Sequence, residues 1–391
     1  MRARTRPRAS VLPRAAILGA ALGIATFALA SPALAATSAP ARHDGAGGAG
    51  HAVFVQTDNT AGNEVVAYRR SGSGTLTEAG AYSAGGLGGI LSGSVVDHLA
   101  SQGSLVLDRR AGLLIAVNAG SNTIAVFGVH GDRLRLRQVL RSGGVFPVSV
   151  TVRGDLAYVL NAENGGIVQG FGIRSGALYR LPGSGRALGL DPTLTPQFTS
   201  TPGQVAFSPG GTQLLVTTKA NGDDIDVFGV RPDGYLTPSP VVNSEPGTVP
   251  FAIAFDPAGH LIIAEAGTNA LASFALAPSG TVTPLAATGT GQTATCWVTA
   301  DGGLLFASNA GSASESAFSS GQGGGLTLLG RTGTDAGTVD SAATPGGRYL
   351  YVQTGGSGIV DEFAVGSGGA LTSIGSVTVP GAAGGEGIAA G

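Results

Sequence analysis

The sequence predicts an all-β chain folded as a seven-bladed β-propeller. Each blade has four antiparallel strands, and the C-terminus supplies the inner strand of blade one. Three observations predict this. One pattern ending in an aromatic recurs seven times, each unit parses into four short strands, and the two chain ends are complementary parts of one blade.

The recurrence is visible in the residues. Positions 113–129 read LLIAVNAGSNTIAVFGV, 214–230 read LLVTTKANGDDIDVFGV and 304–318 read LLFASNAGSASESAF. The plan returns at 52–68, 156–173, 261–276 and 349–365. The copies end at Tyr68, Phe127, Phe171, Phe228, Phe274, Phe318 and Phe363, spaced by 59, 44, 57, 46, 44 and 45 residues. Units of this length built from short strands favour propeller blades over a β-solenoid or a large sandwich.

In the fourth unit QVAFS is a short inner strand, PGG a turn and QLLVTT a second strand. KANGDD carries the Asn-Gly of a tight loop. IDVFGV is a third strand and RPDG a turn. YLTPSPVV reads as the outer strand, since an edge tolerates prolines. Helical spacing is absent after the leader. At the ends, HAVFVQT begins as a second strand with no inner partner, and GEGIAAG reads as an inner strand with no blade after it. Joining Gly387–Ala390 to blade one completes seven blades and removes an exposed edge.

The leader precedes this array. Arg2, Arg4, Arg6, Arg8 and Arg14, an apolar run and SPALA describe an export signal over residues 1–35, cleaved after Ala35. The apolar run is shorter than the ~20 residues of a membrane span. Residues 36–50 read as a flexible leader and 51–391 as the propeller, so the expected product is a secreted, monomeric protein without membrane insertion. Removing the leader takes five of the 22 basic residues and none of the 24 acids, leaving a charge of −7. That balance argues against nucleic acid and anionic membranes as partners. Cys296 is the sole cysteine, so no intrachain disulfide forms.

Blade geometry places candidate residues on one face. Turns between second and third strands lie on the same side as the links between blades. Lys219, the only lysine in the chain, opens such a turn; Asn59, Asn118, Asn161, Glu265, Asn309 and Thr354 match it. Inner-strand starts add Gln102, Gln204, Trp297, Asp340 and Glu386. A ring of amides, carboxylates and one ammonium is therefore expected around the channel mouth. A lysine beside carboxylates suits an anionic or carbonyl-bearing ligand, while an inter-blade ion pair is the structural alternative. His98, beside Asp97 in the long first link, is a candidate base or ligand contact. Cys296-Trp297 reads as inner-strand packing or an aromatic ligand wall. No metal-ligand spacing, hydrolase elbow or phosphate loop is present, so no metal or cofactor is expected.

LLIAVNAGSNTIAVFGV, AFSPGGTQLLVTT and AFDPAGHLIIAEAG resemble the seven-bladed lactonase family, which includes bacterial 6-phosphogluconolactonase and fungal carboxymuconate cyclase. Related YVTN-type propellers share the Asn-x-x-Ser-Asn turn. The resemblance spans residues 51–391 and implies the fold and a channel-mouth pocket. Family enzymes carry histidine and arginine at inner-strand starts; here those segments read SQGSLVL, FPVSVTV, TPGQVAF and VPFAIAF. Glu265 is similar in position to the family's acidic residues on the second strand.

Two functions follow as expectations. One is a lactonase-like hydrolase, or a related lyase or isomerase, acting on a small cyclic ester. Glu265 would be its base, Lys219 its oxyanion or carboxylate partner, and Asn118, Asn161, Gln204, Asn309, Trp297 and His98 would position substrate. The other is a non-catalytic propeller binding a lactone, carbohydrate, peptide or cell-surface partner at the same mouth.

Overall fold

A computed structural model describes residues 50–391; the expected export signal, its cleavage site and residues 36–49 of the leader lie outside the described residues. Seven antiparallel sheets follow one another, six of four strands and one with a short fifth strand. In blade one, Ala52–Gln56 pairs with Glu64–Arg70, which pairs with Leu76–Ser83. Its inner strand is the C-terminal Ile388–Ala390, with Val55 opposite Ile388 and Val53 opposite Ala390. The expected closure is therefore present. The inner strands of blades two to seven begin at Leu105, Pro147, Val205, Pro250, Thr295 and Thr338.

Burial follows strand position. Second strands such as Leu113–Asn118 are buried throughout, whereas the outer strand Leu76–Ser83 is mostly exposed. This gradient reflects blades packed face to face, with the last strand on the rim. The seven repeat aromatics are no more than 2% exposed. Each packs against the preceding blade: Phe127 joins Phe54 and Val65, and Phe274 joins Leu215 and Val227. Beside five of them the outer ladder slips by one residue, as between Val126 and Phe127. Such bulges add twist where the blade turns toward the rim.

Two local expectations are corrected. The outer strand of blade four spans Val241–Ser244 only, with Leu236 bridging Val230 alone. Pro238 and Pro240 lack the N–H groups a longer ladder needs. One helical turn, Gln197–Ser200, occurs in the link before blade four. Four residues are too few to show a helical period. Among the described residues no helix is long and apolar enough to cross a membrane.

The two longest spacings become a roof. Residues 84–104 and 181–204 link blades one to two and three to four, and they meet over the ring face. Phe198 N donates to Ser92 O (3.3 Å) and Ser92 N to Gln197 Oε1 (3.0 Å). The first link also reaches blade seven. His98 N donates to Gly384 O (2.8 Å), and a side chain at Gly355 would strike the Val96 carbonyl, so only glycine fits there. Leu91, Leu99 and Ala100 of the first link are wholly buried. The channel mouth on the ring face is thus covered by the two links.

Candidate functional site

Lys219 has a left-handed backbone, φ 54°, and is 1% exposed. Its Nζ donates to Ala100 O (2.7 Å), Phe198 O (2.6 Å) and Thr201 Oγ1 (3.2 Å). These acceptors lie in both links, so one ammonium ties the two halves of the roof together. It also sits 5.2 Å from the centre of the Phe251 ring, a cation–π distance. Three protein acceptors use all three of its donors.

Beside Lys219 lies a cavity of about 320 Å³ between the roof and blades four to six. Phe198, Val249, Phe251 and Trp297 form apolar walls; Asp97, Lys219 and Cys296 add polarity. Trp297 stands 5.0 Å from Phe251 at 60°, and its Nε1 donates to Ser101 O (2.6 Å). Val249 and Ala294 on the wall have left-handed backbones, but so do Phe146 and Gly337 at matching inner-strand starts. That conformation belongs to the repeat.

Asp97 is half-buried and accepts from Ser94 Oγ (3.1 Å). Burial raises its carboxyl to about 6 while Lys219 pulls it back. Burial lowers the ammonium to about 8, with Asp97 and then Glu386 opposing. Burial also pushes the Cys296 thiol up, so it stays protonated and unreactive.

The structure separates the other expected residues. Lys219 N donates to Pro250 O (3.2 Å), and Pro250 is the ladder partner of Glu265, so both backbones share one rim. Yet Ala266, not Glu265, lines the cavity. The Glu265 carboxylate accepts from Thr268 Oγ1 (2.8 Å), and burial raises its pKa. Among the described residues Glu265 forms no ion pair with Lys219.

The amides are mostly spent on the fold. Asn118 is buried, donates to Ala84 O (3.1 Å) and accepts from Asn63 Nδ2 (3.0 Å). Asn309 accepts from Thr295 Oγ1 (2.6 Å) and donates to Ser316 Oγ (3.0 Å). Asn161 donates to Ile167 O (3.3 Å), although its buried Oδ1 has no partner. Gln204 Oε1 accepts from Ile253 N (2.6 Å) inside the central channel. His98 is half-buried, and burial lowers its pKa. Sequence reasoning passed over Asp97 as a mere neighbour of His98, and it missed Phe198 and Phe251 in the wall. The only available signal was the extra length of the two links.

Below the roof the channel is plugged. Gln102 reaches across to blade six, where Nε2 donates to Val298 O (2.9 Å) and Oε1 accepts from Val298 N (2.9 Å). Glu386 Oε1 accepts from Ser101 N (3.0 Å) and Ser101 Oγ (2.9 Å), while Oε2 has no partner. Burial raises Asp58 and Asp340 to about 7 and Glu315 to about 8. The fold thus holds these protons more tightly than the unfolded chain does. Their stabilising contribution is complete below about pH 4 and drains away as pH rises through about 7 to 8. Scanning calorimetry should give a lower melting temperature at pH 8.5 than at pH 5; a flat profile would contradict these burial shifts.

The seven sheets and the roofed cavity define a β-propeller with a small-molecule-sized recess on its ring face. The lactonase, 7-bladed β-propeller family model matches residues 90–383, and the chain belongs to that family. No curated protein matches the sequence. A solved Lactobacillus plantarum protein is similar, with TM-score 0.70 and 20% identity over 86% of this chain and 98% of its own. The Pseudomonas aeruginosa periplasmic gluconolactonase gives 0.67 and 18% over 86% and 98%. A Bacteroides fragilis protein, provisionally a 6-phosphogluconolactonase, gives 0.67 and 20% over 88% and 98%. At such identities these likenesses speak to the fold.

Proposed function

We propose that the chain is a lactonase-type hydrolase that opens a small, largely apolar cyclic ester in the roofed cavity. The observation that carries this is an ionisable carboxyl, Asp97, facing an apolar, aromatic-walled recess beside a buried ammonium. Asp97, raised toward neutrality, takes a proton from water as that water adds to the ester carbonyl. Lys219 stabilises the resulting oxyanion through its charge, since its N–H groups are held by Ala100, Phe198 and Thr201. The intermediate collapses by breaking the ring C–O bond, and Asp97 returns the proton to the departing alkoxide. The product is an open hydroxy acid.

The wall chemistry supports an uncharged lactone over a sugar-phosphate lactone. The one cation lining the cavity has no donor left for a phosphate. The basic, apolar and small-residue stretches of residues 1–35 support action outside the cytoplasm. A second reading, ligand binding without turnover, is favoured by the same full occupancy of Lys219.

Hydrolysis of a lactone panel, with Asp97→Asn and Glu265→Gln as variants, tests the proposal. We expect wild-type turnover of alkyl lactones, none of phosphorylated ones, and a loss of about 100-fold or more in Asp97→Asn. Glu265→Gln should keep its activity; loss there would return the base to Glu265. Trp297, the sole tryptophan, lies in the wall, so its fluorescence reports occupancy. Fluorescence change without hydrolysis of any lactone would establish the binding reading instead.

A further inference from the structure

The charge of this chain is strongly segregated. Residues 133–186 carry eight arginines and two carboxylates, leaving 22 of the 24 acids elsewhere. Of those two, Asp155 is paired outward with Arg110 (2.7 Å). Among the described residues none of the eight arginines forms an ion pair, and all but Arg186 are exposed.

The fold gathers six of them on the rim of blades two and three, whereas Arg153 ends the inner strand of blade three and Arg186 donates to Leu236 O (2.9 Å) and Thr237 O (2.9 Å). Arg133, Arg135, Arg137 and Arg141 lie on the outermost strand of blade two, Arg133–Arg141. The outermost strand of blade three, Ala177–Arg180, stands next to it. Gln138 joins the two edges, donating to Leu178 O (3.2 Å) and accepting from Leu178 N (2.8 Å). Arg137 Nη1 donates to Gly176 O (3.2 Å), which brings it near Arg174 at the same turn. Alternate residues on a strand repeat at about 6.8 Å, so Arg133 and Arg135 form a regular row. Tyr179, 50% exposed, lies over Gly172, where a side chain would meet its ring. Absence of a side chain at Gly172 lets the ring lie against the strand with one face open.

We propose that this rim binds a linear acidic polysaccharide whose carboxylates meet the arginine row and whose sugar ring stacks on Tyr179. Arginine suits the partner because its planar fork takes carboxylates in bidentate fashion. One aromatic among many guanidinium groups fits a charged glycan better than single-stranded nucleic acid, which uses successive stacking platforms. Nothing in this surface touches the roofed cavity, so the proposal is independent of the hydrolase reading. The competing role for the arginines is blocking edge-to-edge strand pairing.

The test is titration of the full chain with polygalacturonate at rising salt, with neutral dextran and single-stranded DNA as comparators. Binding should weaken steeply with salt and be absent for dextran. Arg135→Glu with Arg180→Glu should weaken it by about tenfold or more. Tyr179→Ala should weaken it without changing the salt slope. Arg331→Glu, on the outer strand of blade six, should leave it unchanged. Arg135→Gln with Arg180→Gln, matched to wild type in melting temperature, separates lost binding from lost folding. The proposal is overturned by no polygalacturonate binding at about 50 mM salt, by binding indifferent to the rim substitutions, or by equal or tighter binding of DNA.

Discussion

Removing residues 384–391 is expected to lower the melting temperature on the order of 10 °C or more. The segment supplies the inner strand of blade one, and Ile388, Ala389 and Ala390 are no more than 8% exposed. Its loss would free Gln56 N from Gly387 O (2.8 Å) and Ala52 O from Gly391 N (2.7 Å). It would also remove Glu386 N from Asp58 Oδ2 (2.9 Å), baring a buried carboxyl at the channel. His98 N would lose Gly384 O, so the roof would loosen with the ring. Without it the inner edge of Ala52–Gln56 loses its ladder partner, and blade one is left with an unpaired edge facing the channel. Calorimetry of the truncated chain checks this, and an unchanged transition would mean that the C-terminal strand contributes nothing to closure.

Lys219→Met should be the most destabilising single substitution on the ring face, by about 3 kcal/mol. Methionine fills the same apolar stem volume, so the change isolates the ammonium. Ala100 O, Phe198 O and Thr201 Oγ1 would lose their donor under the roof. The positive charge that lowers the Asp97 carboxyl would vanish, so Asp97 would shift further toward its protonated form, and Glu386 would lose a favourable neighbour. Chemical denaturation of wild type and variant measures the loss. Wild-type stability in Lys219→Met would show that the two links stay docked without the ammonium. Lys219→Arg separates charge from shape: the guanidinium keeps the charge but does not fit three acceptors arranged around a single nitrogen.

These two results bear on the lone lysine from opposite sides. An ammonium that only faced a ligand would leave stability nearly untouched when removed. One that ties two links across the channel cannot be removed without cost, whether or not it also acts on a lactone. The lysine is where it is because a compact point charge with three donors can collect acceptors from two separate chain segments.

Much of the architecture was legible because it repeats. The seven aromatics from Tyr68 to Phe363 announce one wedge per blade, and the incomplete first and last units announce their mutual pairing. Such features come from strand periodicity and local turns, which neighbouring residues dictate. The shared rim of Lys219 and Glu265 also followed from strand parity alone. Blade four's outer strand is shorter than the segment YLTPSPVV suggests, because Pro238 and Pro240 have no N–H to give the ladder.

The sequence by itself determined the seven blades, their closure and the face on which each turn lies, because these rest on local hydrogen bonding and alternation along the chain. Only the tertiary structure decided that the two long links roof that face, that Asn118 is spent on blade one and the first link and Asn309 within its own blade, and that Asp97 rather than Glu265 lines the recess beside Lys219. Links that do not repeat carry no periodic signal, and their course is set by contacts between residues such as Lys219 and Ala100, which lie far apart along the chain and meet only when the ring is closed.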